Sequence, residues 1–142
     1  MDTINQNRQV KVIQNLLRFT YGLVPVIAGL DKFTNLLVDW KIYLNPNLSG
    51  MLPMGPVVFM YIVGVIEIAA GILTLAKPRI GGYVVMAWLI LIALNLISMG
   101  AYFDIAVRDL VMSIGAFSLA QLSALVDESK EPHYAKNLAH NV

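Results

Sequence analysis

Cysteine is absent from the chain, and its absence removes disulfides, thiol nucleophiles, thiolate metal ligands and iron–sulfur clusters together. Histidine is scarce: the sequence has two, His133 and His140. Both lie in the polar C-terminal stretch, so no apolar segment carries a usual haem ligand. Charge is scarce as well. Lys, Arg, Asp and Glu make up 13% of the residues, against about 25% in a soluble domain. That is too few to hydrate the surface of a sphere this size, so lipid is expected to cover most of it. A net charge of +1 gives no basic field for a phosphate backbone, which excludes nucleic acid as a partner. No metal site and no intrinsic cofactor are expected. Any redox group would belong to a partner or to a diffusible molecule such as a quinone.

Apolar residues fill the space, at 58% of the 142 positions. A hydrocarbon core of roughly 30 Å needs about 20 predominantly apolar residues per helix. Four segments meet that test, at residues 12–37, 57–76, 80–100 and 105–126. The fold class read from them is all-α: a polytopic four-helix transmembrane domain over 12–126, preceded by a polar segment at 1–11 and followed by a polar tail at 127–142. No cleavable signal peptide is expected, because Arg18 interrupts the first apolar run. Lys77-Pro78-Arg79 reads as a tight basic turn between spans two and three. The link before span two is longer and turn-rich but apolar. Its Trp40 and Tyr43 suit the headgroup zone, so it is expected to lie along the membrane surface or fold over the bundle mouth. Seven of the ten Lys and Arg residues (Arg8, Lys11, Arg18, Lys77, Arg79, Lys130 and Lys136) fall on one side of these spans. Lys32, Lys41 and Arg108 fall on the other. This bias predicts both termini in the cytoplasm.

A charged side chain near the centre of a span costs about 3 kcal/mol to insert, so Glu67, mid-way along span two, calls for a reason. Gly64 and Gly71 share its helical face and would let a neighbouring helix approach closely. That face therefore points into the bundle, and Glu67 is either a functional group or a structural tie between helices. Span one carries a matching stripe of Arg18, Gly22, Pro25, Gly29 and Lys32 at three- and four-residue steps. Lys32 is expected to face inward. Asp31, about 100° around the helix from it, and Arg18 can each be read as reaching for headgroups or water. Span four opens with Asp104, Arg108 and Asp109. Arg108 and Asp109 can cap the helix, or Arg108 can pair with Asp104 four residues earlier. Asn95, one heptad after Trp88, adds a polar group from span three. Lys32, Arg108, Asp109 and Asn95 are thus all expected in the outer half, above Glu67. A ligand site and a purely structural ion network would give the same pattern.

These residues resemble a known family. Gly29-Leu30-Asp31-Lys32 is similar to the Gly-x-x-Lys that ends the first helix of DoxX-like membrane proteins. Gly64-x-x-Glu67-x-x-x-Gly71 resembles that family's second-helix pattern, and Arg108-Asp109 its fourth-helix Arg-Asp. The basic turn also fits, without the glycine expected just before it. The resemblance spans about residues 12–126. It implies a multi-pass bundle in a bacterial inner membrane, associated with oxidoreductase systems that include a small subunit of thiosulfate:quinone oxidoreductase. It gives weight as site residues to Lys32, Glu67, Arg108 and Asp109. Three functions follow as expectations: an accessory redox subunit binding a quinone or lipid at the charged cluster, a structural or assembly scaffold, and a small transporter. The last is disfavoured by four helices and no evident internal repeat. The partners expected are membrane lipid, an oxidoreductase subunit, or a second copy of the chain.

Overall fold

Two prolines set the frame of the bundle. Pro56 and Pro78 each stand in the first turn of a helix, where a missing N–H is no loss. A single residue, Lys77, joins the helix that Pro78 opens to the one before it. Its amide closes the first of them on the Leu73 carbonyl at 2.7 Å. A computed structural model describes residues 2–130; His133, Lys136, His140 and most of the expected tail lie outside the described residues. The elements run α1 (Asp2–Thr34), a short 3-10 turn (Trp40–Tyr43), α2 (Pro46–Met51), α3 (Pro56–Ala76), α4 (Pro78–Met99) and α5 (Phe103–Glu128). Helix α4 stops at Gly100, whose left-handed φ of 68° costs glycine nothing. Tyr102 is also left-handed, at φ 58°. Its ring meets Tyr43 edge-on at 5.0 Å, a contact that offsets a backbone strain of about 1–2 kcal/mol.

Among the described residues, four helices, α1, α3, α4 and α5, are long and apolar enough to cross a membrane. The tightest packing is of α1 on α3 and of α4 on α5, and contacts of α3 with α4 and α1 with α5 complete the ring. Neighbours run antiparallel. Gly22 lies against Gly71 and Gly29 against Gly64, Gln14 bonds Ser123, and Tyr83 accepts from Gln121.

The burial pattern is inverted relative to a water-soluble domain. Val12, Leu16, Phe19, Leu23, Ile27 and Leu30 form an exposed apolar stripe along α1, while Gln14, Lys32, Glu67, Thr74, Asp109, Ser113 and Ser123 are buried. They share the interior with apolar residues such as Leu96 and Leu119. Buried polar groups behind an apolar surface suit lipid rather than water, which with four helices of spanning length makes this a multi-pass membrane bundle.

Two boundaries differ from the sequence reading. Helix α1 takes in residues 2–11 as well, because no glycine or proline interrupts them and α5 runs beside the same end of α1. It also stops at Thr34 rather than near Leu37. Asn35 turns left-handed at φ 50°, and the Asp31 carboxylate takes the amides of Leu36 and Leu37 at 2.9 and 3.1 Å. Those amides then have acceptors without a further helical turn.

Candidate functional site

Backbone proximity comes first. A Cβ placed on Gly64 would stand 2.8 Å from the Gly29 carbonyl and 3.2 Å from the Lys32 Cβ, so the absence of side chain there is what seats Lys32 against α3. From that position Lys32 Nζ reaches Glu67 Oε2 at 2.6 Å, with 4% of Lys32 and 5% of Glu67 exposed. Glu67 Oε1 accepts from Trp88 Nε1 at 3.1 Å. Both carboxylate oxygens thus have partners inside the protein. The contact joins α1, α3 and α4 at one level. Among the described residues, no buried side-chain nitrogen or oxygen lacks a partner. An ion pair in low dielectric is tolerable under that condition, because desolvation is offset only when geometry and hydrogen bonds are both supplied.

The outer connection closes over this pair. Trp40 stands with its ring centroid 3.7 Å from Lys32 Nζ, a cation–π contact strengthened by the lack of water. Its indole N–H donates to Asp31 Oδ2 at 2.7 Å. Asp31 therefore does two jobs: it ends α1 by binding the Leu36 and Leu37 amides, and it anchors the indole that covers its sequence neighbour. The 100° between Asp31 and Lys32 is bridged by Trp40. Beyond it, Asn95 donates to the Tyr43 carbonyl at 2.8 Å and Asn45 to Ser98 Oγ at 2.9 Å. These bonds tie the connection to the last turns of α4. Of the two sequence expectations for this segment, folding over the bundle mouth is the one observed.

The remaining candidates are sorted by the same geometry. Asn95 holds the connection and has no bond to the charged pair. Arg108 points outward, its side chain 66% exposed, with Nε 3.8 Å from Asp109 Oδ1. Its ion pair is thus with the next residue rather than with Asp104. Asp109 is buried and is paired with Arg108 rather than with the Lys32–Glu67 cluster. Arg18 is half-buried and donates through Nε and Nη2 to the Leu75 carbonyl. It caps the end of α3, where the last carbonyls have no helical partner. Gly22, Gly29, Gly64 and Gly71 all sit at the α1–α3 contact. Among the described residues, no three carboxylates or histidines gather as a metal site.

The sequence reading missed Trp40 and Trp88 as site members. A signal was available for Trp88. With Lys77 as a one-residue turn, Glu67 lies ten residues before it and Trp88 eleven after, which sets them level on an antiparallel hairpin. An indole N–H at mid-span needs an acceptor, and Glu67 is at that depth. Chemically, the cluster can lock three helices together. With Trp40 displaced, it can also offer the Lys32 ammonium to an acceptor entering from the loop side. No family model, curated protein or solved structure matches the chain.

Proposed function

We propose that the chain is an integral membrane accessory protein whose buried Lys32–Glu67–Trp88 cluster holds the bundle in one shape for a partner. One observation carries this reading: both oxygens of the mid-span carboxylate are engaged by the protein's own side chains, so the cluster is complete without a ligand. The resemblance to DoxX-like proteins, carried by Lys32, Glu67, Arg108 and Asp109, makes the partner an oxidoreductase system of a bacterial inner membrane. Both termini then face the cytoplasm, in keeping with the bias of basic residues toward that end. Arg108, exposed at the opposite end, and the folded-over connection form the surface for the partner's outer portion. Reporter fusions at Lys77–Arg79 and near Asn47 test the topology. A cytoplasmic signal from the Asn47 fusion would reverse it.

A second reading keeps the cluster as a binding site for a quinone or lipid. It is favoured by Trp40, which belongs to a connection rather than to a spanning helix and covers the Lys32 ammonium like a lid. Trp40→Ala separates the two. As a scaffold, the variant should pull down the same partner with reduced stability. As a quinone site, it should change the amount of quinone that co-purifies while the partner stays bound.

A further inference from the structure

The end of the bundle opposite Trp40 has a different character. Helices α1 and α5 run on past the short α3–α4 hairpin: Gly22 is already level with Gly71 and Leu75, and Gln14 pairs with Ser123 beyond it. The hairpin turn therefore forms the floor of a step, and the two longer helices form its walls. The resulting open cleft has a volume of about 510 Å³. Among the described residues, five cations line it, Lys11, Arg18, Lys77, Arg79 and Lys130, against one carboxylate, Asp127. Asp127 is only loosely paired, with Lys130, at 3.9 Å. Like charges converging on one cleft raise its potential and draw in an anion.

Three further features define the anion. The start of α4 lines the cleft through Pro78, Arg79 and Ile80, and it has no side-chain cap. Its amides and dipole add to the positive field. Arg18 is fixed in the wall by its bonds to the Leu75 carbonyl, so its charge is pre-positioned rather than free to snorkel away. Ala76, Ile80 and Val126 share the lining, and the exposed apolar surface continues from Ile80 one turn along α4, with Tyr83 and Val84. A ligand that suits all three is anionic at one end and hydrocarbon at the other.

We infer that this cleft binds the phosphate of an anionic phospholipid headgroup, with the acyl chains along the adjoining apolar flank. It is separate from the Lys32–Glu67 cluster and does not depend on the role proposed for that cluster. A lipid phosphate and free inorganic phosphate share the chemistry, so the test must tell them apart. The full chain is purified in detergent and titrated with phosphatidylglycerol, phosphatidylcholine and inorganic phosphate, with bound species counted by native mass spectrometry. Phosphatidylglycerol should bind in preference to phosphatidylcholine and resist displacement by millimolar inorganic phosphate. The Lys77→Gln/Arg79→Gln double variant should lose roughly 25-fold in phosphatidylglycerol affinity, about fivefold for each cation removed near an anionic headgroup. Lys41→Gln, at the other end, should lose nothing. Helical content by circular dichroism shows that both variants are folded. Equal retention of the two lipids, or an unchanged double variant, overturns the assignment. Displacement of phosphatidylglycerol by inorganic phosphate overturns the lipid assignment. So does failure of phosphatidylglycerol to bind at all.

Discussion

Replacing Glu67 by Gln removes one charge from the centre of the bundle and keeps the volume. The Gln carbonyl can still accept from Trp88 Nε1, so the Trp88 bond survives in weaker form. Lys32 is then left 4% exposed with the Trp40 ring as its main compensation. Breaking a buried pair by removing one partner costs about 3–5 kcal/mol, and the cation–π contact returns about 2 kcal/mol at most when desolvated. With that full return the single variant should be destabilised by about 1–3 kcal/mol. Lys32→Met strands the carboxylate instead and should cost a similar amount. The double variant, Lys32→Met with Glu67→Gln, strands no charge. It should recover most of the loss, because an apolar or neutral pair of similar volume in place of a buried ion pair is often neutral or stabilising. Equilibrium unfolding of the three variants in bicelles measures the coupling between the sites. Strict additivity of the two single losses would refute the account, since it would mean that the two charges do not sense each other.

The same geometry makes three further predictions. Gly71→Leu should disrupt assembly or folding, because even a Cβ there would sit 2.5 Å from the Gly22 carbonyl, whereas Ile72→Leu, on the exposed face, should be tolerated; yields of folded protein compare the two, and equal yields would contradict the close contact. Asn95→Ala should free the outer connection without touching the ion pair, read as faster proteolysis between Leu36 and Met54 at unchanged unfolding free energy of the bundle within about 1 kcal/mol. The chain's two tryptophans both touch the cluster, so in a Trp40→Phe background the emission of Trp88 should shift when Glu67 becomes Gln; an unmoved spectrum would put the indole elsewhere.

Much of the spanning architecture was legible because lipid enforces a simple rule: length and apolarity mark a span, and small residues mark where helices touch. The close-packed faces marked by Gly22 and Gly29 and by Gly64 and Gly71, and the inward placement of Lys32 and Glu67, follow from periodicity on two helices; which glycine meets which does not. Less legible was which cation Glu67 would take. Lys32 and Arg108 are equivalent by depth, and only the glycine contact that seats α1 on α3 decides for Lys32. Trp40 and Asp31 could not be joined from sequence because their bond depends on the path of the five residues 35–39, which begin with the left-handed turn at Asn35. The polar run at residues 1–11 reads from sequence as a separate segment, since hydropathy reports where the hydrocarbon ends and not where the helix does.

The two glycine pairs carry a mechanical consequence. Gly22 and Gly29 are seven residues apart, as are Gly64 and Gly71, so α1 and α3 meet like two toothed racks with two teeth engaged. Sliding one helix along the other by a single turn would drive side chains such as Leu75 or Val26 into gaps sized for a hydrogen atom. The next engagement that fits even one pair is a heptad away, about 10 Å of travel at 1.5 Å per residue. Piston-like motion between these helices is therefore blocked. Any signal passed across the membrane by this protein must travel as rotation or tilt of the α4–α5 half, or as movement of the connection that carries Trp40.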